Sequence, residues 1–376
     1  MKTLTIISHT EHYKKPDGTI VGLGSTVTEI NNLITVFDAV IHVAMLHQVA
    51  APPSALPYTS SKISFEALPA VGGQKLVDKL AIISSAPKTI RIIKKAINKT
   101  DCFQFRAPTG IGVFVIPYLM LFSSKKGWFK YAGNWKQEQA PLAYSFQRWL
   151  LKNQKRKVTI NGSWPNQPKQ CLTFENPCLT EGEVAQGKSI ISTKVFSQKD
   201  ITFCFVGRLE KEKGVGLLIE AFKKLTKEEK LKINAIHIVG DGKAKQKYID
   251  STKNSGLPFV FHGFLSRKDV HEIYKTSHAI ILPSASEGFP KVIAEAMNFG
   301  CLPIVSNVSS IGHYVKSEIN GFLLDAITEE ALVFEIHKIL QLSPSVFVKM
   351  IQMQSETQKK FTYSYYNHRI VNLLKY

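Results

Sequence analysis

AIILPSASEGFPKVIAEAMNFGCLPIVS, residues 279–306, decides the fold. It opens on an apolar run (279–284), breaks at Ser-Glu-Gly-Phe-Pro, continues as a helix from near Pro290, and closes on a second apolar run (302–306). Proline is preferred at the first position of a helix because its missing N–H would be unpaired there anyway. Strand, turn, helix, strand is the βαβ unit of a parallel sheet covered by helices. The stretch also carries Glu287 in the turn and Glu295 about a turn and a half into the helix. Taken alone the pair proves nothing, since a carboxylate favours a helix N-terminus and a second one suits a solvated face.

Working outward, the same rhythm recurs. ITFCFVG (201–207), AIHIVG (235–240) and FVFHG (259–263) are further apolar runs, each leading into a turn and a helix. Residues 179–361 are thus expected to form a doubly wound domain, which binds ligands beyond the carboxyl ends of its strands. Residues 161–200 are rich in Pro, Gly, Asn and Ser, and the boundary is placed there, with a front domain over 1–178. In that front half LTIIS (4–8), AVIHVAM (39–45), CFQFR (102–106) and WFKYAG (128–133) read as strands of an open α/β sheet. TVTEINNLITVF, GQKLVDKLAIISS and the 107–124 segment read as helices between them. The last residues, from about 362 to 376, have the spacing of a terminal amphipathic helix able to pack back on the front domain.

Composition bounds the possibilities. Of 376 residues, 44% are hydrophobic and 20% charged, the balance of a folded protein long enough for two cores. The net charge of +19 is uneven: residues 1–180 hold 22 basic and 9 acidic side chains, residues 181–376 hold 26 and 20. A basic front half suits an anionic membrane surface, a phosphorylated substrate or nucleic acid. Nucleic acid is the weakest of these, since the charge is diffuse and no binding motif is present. The five cysteines form no Cys-x-x-Cys pair, so neither a disulfide framework nor a zinc site is expected, and a cytoplasmic setting fits. The N-terminal MKTLTIISHTEHY is too short in its apolar run for a signal peptide. GIGVFVIPYLMLF (110–122) falls short of the roughly 20 residues that span a bilayer and reads as a buried helix, with an interfacial segment as the other reading.

The strand ends of the second domain carry the chemistry. After the first comes GRLEKEKG, setting Arg208 and Lys213 beside Gly207; two cations can neutralise a diphosphate, and glycine allows close backbone approach. After the second comes Gly240, and after the third HGFLSR (262–267). After the fourth come Glu287, Gly288 and Phe289, then a helix whose exposed amides make a seat for phosphate. In this order and spacing FVGRLEKEKGVGLLIEAFKKL, HIVGDG, FVFHGFLSRKDV, IILPSASEGFPKVIAEAMNFGCLPIVS and NGFLL resemble the donor-binding half of the retaining glycosyltransferases of family 4, or group 1. The resemblance runs from about residue 201 to 325. It implies the GT-B architecture, α/β with two Rossmann-like doubly wound domains facing across a cleft.

It also implies roles. Arg208 and Lys213 match the clamp on the donor diphosphate, Glu287 the glutamate that meets the transferred sugar, and Glu295 the one that holds the ribose. Backbone around Gly288, Phe289, Pro290 and Lys291 would meet sugar and phosphate, with Leu265 near the base. The donor would be a nucleotide diphosphate sugar of UDP or GDP type. There is no Asp-x-Asp motif, so no metal and no other cofactor is expected. The acceptor would be a glycan or lipid-linked glycan of the cell surface, met by an enzyme at the inner face of the membrane. A GT-B enzyme on a small soluble acceptor or a sugar nucleotide (epimerase or sucrose-synthase type) and a non-catalytic nucleotide-sugar-binding protein are the other readings.

The front domain offers looser candidates. SHTEHYKKPDGTIVGLGSTVTEINNL is expected to be a long glycine-containing loop shaping the acceptor pocket, with Gly22 and Gly24 at its end and His9 and His12 as proton handlers. Arg106, followed by Pro108, stands where many relatives place a histidine-containing segment, and is a candidate for phosphate or an acidic sugar. Asn134 and Trp135 end another strand, the indole suited to stacking on a sugar ring or to a core.

Overall fold

The computed structural model describes residues 2–73 and 75–375. The chain divides into two compact units, the second comprising Asn176–Tyr365 and the first the remainder, including the chain from Tyr366 onward.

The second unit holds β10 (Ile201–Val206), β11 (Ile233–Val239), β12 (Phe259–Gly263), β13 (Ala279–Leu282), β14 (Leu302–Ser306) and β15 (Phe322–Leu324). All pair in parallel, in the order β12-β11-β10-β13-β14-β15. Helices cover both faces, so β10, β13 and β14 are buried at every residue, which is why they read as unbroken apolar runs. The strand order reverses between β10 and β13, and there the loops leave in opposite directions and open a crevice. A sixth strand, β15, is an addition to the five the sequence suggests; three residues carry too little periodicity to read.

The first unit is built on β1 (Thr3–Lys14), β3 (Ala39–His47), β5 (Ile63–Leu68), β6 (Cys102–Ala107), β7 (Lys126–Tyr131), β8 (Val158–Ile160) and β9 (Cys171–Thr173). They form a parallel sheet in the order β5-β3-β1-β6-β7-β8-β9. Flanking helices include α1 (Gly24–Leu33), α2 (Leu76–Ser84), α3 (Ala86–Asn98), α4 (Gly112–Phe122) and α5 (Leu142–Lys152). The final helix, Tyr363–Leu374, adds Tyr366, Ile370 and Leu373 to the core around Leu4, Trp128 and Phe174.

The segment after the first strand is not a loop. β1 continues through a register shift between Ile7 and Glu11, then turns back at Asp17-Gly18 into the antiparallel β2 (Ile20–Leu23), which pairs with β4 (Ala55–Pro57). Asp17 Oδ1 accepts a bond from the Thr19 amide at 2.9 Å, fixing the turn. Asp-Gly is a hairpin signal, and α1 follows β2 with no intervening loop.

Candidate active site

In the second unit the loops after β10 and β13 meet at the crevice. A 3₁₀ turn, Lys211–Lys213, is closed by Gly214, where a Cβ would lie 2.5 Å from the Pro283 carbonyl oxygen. Only glycine lets the turn lie so close to the end of β13. The Ala285 amide donates to the Glu212 carbonyl at 2.9 Å, tying the two loops together. Lys213 and Glu287, 74 residues apart in sequence, thereby meet at 2.5 Å, both largely withdrawn from solvent. Arg208 leaves the same β10 end but stays 72% exposed, with Glu210 at 3.1 Å.

Glycines also flatten the neighbouring strand ends. Gly240 has φ +134°, and a Cβ there would meet the Gly207 carbonyl oxygen at 1.8 Å, while its own amide donates to Gly263 at 2.8 Å. Leu265 follows, half-buried against the cluster of Val206, Val239 and Tyr274.

Beyond Glu287, the Gly288 carbonyl accepts from the Ser310 hydroxyl at 2.9 Å. Phe289 is a core side chain, stacked on Phe361 with centroids 4.5 Å apart and edge-on to Tyr314. Pro290 is the N-cap, extended at ψ 122°, one position before the place expected for it. The helix itself runs Lys291–Asn298 with no side chain capping its first turn. Uncapped amides at a helix start are donors for an anion. Ser284, Ser306 and Ser309, at or just past the ends of β13 and β14, hold buried hydroxyls with no partner among the described residues.

Glu295 is 8% exposed, and its Oε1 accepts from Arg267 at 2.5 Å. Arg267 begins α8 (Arg267–Thr276), which follows α6 (Glu181–Thr193) and α7 (Val215–Lys223) in the second unit. Its guanidinium also grips Glu183 of α6 through Nε at 2.8 Å and Nη2 at 3.1 Å, and donates to the Cys178 carbonyl. Burial works against the Arg267 charge, but Glu295 and Glu183 outweigh it and hold the guanidinium protonated. Burial likewise pushes the Glu183 carboxyl up, and the Arg267 bonds bring it below the usual range. The reading of the sequence assigned neither Arg267 nor Glu183; the Thr180-x-x-Glu183 capping box was the one local signal of the latter.

The first unit treats its candidates differently. Arg106 is not free for a phosphate: Nη2 pairs with Glu29 at 2.9 Å, and Lys130 reaches the same carboxylate oxygen at 2.6 Å, all largely buried. An apolar sheet tolerates cations only when they are paired, and α1 supplies the carboxylate. Trp135 is 2% exposed and edge-on to Tyr131, so it is core and not a stacking platform. Asn134 folds back to accept from the Lys136 amide at 3.0 Å. Gly22 and Gly24 do not lie in the expected loop: Gly22 is on β2, where a Cβ would strike the His12 ring, and Gly24 begins α1, where a Cβ would lie 2.8 Å from the Ser54 carbonyl oxygen. His12 is buried, bonded through Nε2 to the Tyr58 hydroxyl at 2.9 Å, and Tyr58 in turn to His42 at 2.6 Å. Burial lowers the pKa of His9 and of His12 to about 4. His9 lines a cavity of about 690 Å³, with Gly72, Lys79, Ile83, Gly110 and Tyr144. Among the described residues no three His, Cys, Asp or Glu side chains converge to hold a metal ion.

Residues 188–361 match the glycosyl transferases group 1 family. This group 1 segment holds every residue of the second-unit site named above except Cys178, Thr180 and Glu183. UDP-Gal:alpha-D-GlcNAc-diphosphoundecaprenol alpha-1,3-galactosyltransferase of Escherichia coli is 30% identical over 180 residues, 46% of this chain and 46% of that protein. The chain spans less than half the length of the curated relatives it matches. Among solved structures, sucrose-phosphate synthase from Thermosynechococcus elongatus has a TM-score of 0.74 at 16% identity, covering 100% of this chain and 98% of that one. Anabaena HepE in complex with UDP and glucose has a TM-score of 0.70 at 14% identity, each chain covered over 100%. The fold is that of the GT-B glycosyltransferases.

Proposed function

We propose that the protein is a retaining glycosyltransferase that moves a sugar from a UDP- or GDP-type donor to a hydroxyl of a glycan or lipid-linked glycan, in cell-surface polysaccharide synthesis. One observation carries this reading: the Lys213–Glu287 pair at the β10/β13 crossover, beside exposed Arg208 and an uncapped helix N-terminus. The group 1 match supports the reaction class, and the E. coli relative, by its name an enzyme of a diphosphoundecaprenol substrate, supports a lipid-linked acceptor.

The chemistry follows from charge. Breaking the anomeric bond leaves positive charge on the sugar and negative charge on the diphosphate. Arg208, Lys213 and the amides at Lys291 stabilise the departing phosphate more than the intact donor, which lowers the barrier. Glu287 lies where a carboxylate can accept from sugar hydroxyls and share Lys213 with the phosphate. Glu295, held by Arg267, accepts from the ribose hydroxyls. The leaving phosphate oxygen takes the acceptor's proton, giving attack on the same face and retention. No metal is needed for these steps, and the enzyme works at the cytoplasmic face of the membrane.

A thermal-shift titration with UDP, GDP, ADP and their sugar conjugates, with and without EDTA, tests this. Binding to the folded state adds about 2.7 kcal/mol at a hundredfold excess over Kd. One nucleotide is expected to stabilise the wild type equally with EDTA and to lose its effect in Glu295→Ala. Stabilisation by none of them overturns the donor assignment, and stabilisation abolished by EDTA overturns metal independence.

A further inference from the structure

Two helices of the first unit expose the side chains that helices normally bury. α2 has no buried residue; Leu76, Val77, Leu80 and Ile83, spaced i, i+1, i+4, i+7 along one stripe, are between 59% and 74% exposed. On α5, Leu142, Phe146 and Trp149 repeat the i, i+4, i+7 spacing outward, with the Phe146 and Trp149 rings stacked, while Leu150 and Leu151 fill the core beneath. The helices are neighbours: Lys79, Ile82 and Ile83 of the one and Ala143 and Tyr144 of the other line the same cavity. An exposed apolar area of this extent marks an interaction surface.

Charge identifies what covers it. Residues 75–157 hold 17 lysines and arginines against three acidic residues; Arg106 and Lys130 among them are spent on the buried Glu29, but Lys75 and Lys79 stand exposed directly beside Leu76 and Leu80. A second copy of this chain would bring the same excess of positive charge against it and be repelled. An anionic bilayer supplies both acyl chains for the apolar stripes and phosphates for the cations. No single helix is long and apolar enough to cross a membrane among the described residues, so the contact lies in the plane of the headgroups. Tryptophan, apolar with one polar edge, suits that depth. We propose that α2 and α5 form a docking face for anionic phospholipid, with Leu80 and Trp149 inserted at the headgroup boundary. This deepens the membrane placement proposed above, on which it rests, and involves no residue of the donor site.

Co-sedimentation with vesicles of phosphatidylcholine, alone or mixed with phosphatidylglycerol, tests it. The wild type is expected to bind the mixed vesicles, to be released by high salt, and to lose affinity by about tenfold or more in the Leu80→Glu, Trp149→Glu double variant. Wild type that stays in solution with anionic vesicles overturns the proposal, as does a double variant that binds equally well. So does a dimer, seen by light scattering, that the substitutions abolish. Should the double variant melt early, Lys75→Ala with Lys79→Ala decides instead: binding equal to wild type is the overturning result. Nucleotide thermal shifts on the same proteins separate this face from the donor site, since lost vesicle binding with an intact shift leaves the glycosyltransferase reading untouched.

Discussion

Arg267 joins Glu295 to Glu183 and thereby links α8 to α6 behind the candidate ribose site. A carboxylate 8% exposed needs such a partner, because leaving a buried charge unpaired costs more than the pair itself contributes. Arg267→Ala is therefore expected to lower stability by about 1–3 kcal/mol and to weaken nucleotide binding by about tenfold, read by urea unfolding and calorimetric titration. Arg267→Lys keeps the charge but loses the two-pronged grip on Glu183, so it should restore stability more than affinity. Gly240 is the second residue whose identity the fold demands. A methyl group there meets the carbonyl of Gly207, which directly follows β10 and is held by its own amide bond to the Val239 carbonyl at 3.0 Å. Gly240→Ala is expected to cost about 2–4 kcal/mol in urea unfolding. At this scale the sequence displayed Arg208, Lys213, Glu287 and Glu295 by their spacing to strand ends. It did not display Arg267, whose neighbours lie 84 and 28 residues away, nor the internal pairing that occupies Arg106.

Elements were legible where periodicity is strong. β10, β13 and β14 could be read because both faces of a parallel sheet are dry there and every residue is buried, and β11 and β12, partly open to solvent, by the same succession of apolar run, turn and helix. Helix α3 was passed over, since Lys and Arg interrupt its apolar positions, although they fall cleanly on the outer face. The hairpin of β1 and β2 was read as a loop because its polar letters hide a strand that buries His12 and Tyr13. Helix α5 was passed over as well, and α2 was read as a helix without its outward stripe, for periodicity reports a stripe and not the side on which it lies. Helix α6 owes its start to the Thr180 hydroxyl, which accepts from the Glu183 amide at 3.2 Å while Glu183 answers the Thr180 amide at 2.8 Å. Thr180→Ala should remove about 1 kcal/mol in urea unfolding. It should also loosen Glu183, so that nucleotide affinity falls less than in Arg267→Ala.

For the molecule as a whole, buried histidines set the response to acid. His12 and His9, with folded pKa values near 4, and His42, held well below its ordinary value by burial, stay neutral when folded. The unfolded chain takes up their protons near pH 6.5, so it binds more protons than the folded chain between there and about pH 4. The stability these groups contribute is whole above that window and is lost as pH falls through it, by about 3 kcal/mol for His12 alone. Melting temperature measured from pH 7.5 to 4 should fall across this interval, and less steeply in His12→Gln. The sequence by itself determined the α/β class, the main strands of the second sheet and the residues that stand at their ends, because apolar periodicity and turn chemistry are local and written in order, whereas the crossover between β10 and β13 came only with the strand order. Tertiary structure alone decided which charges are spent on each other, as with Arg106, Lys130 and Glu29 or Arg267, Glu295 and Glu183, and which apolar stripes face water. Pairing and exposure depend on residues brought together from distant parts of the chain, and no local pattern records them.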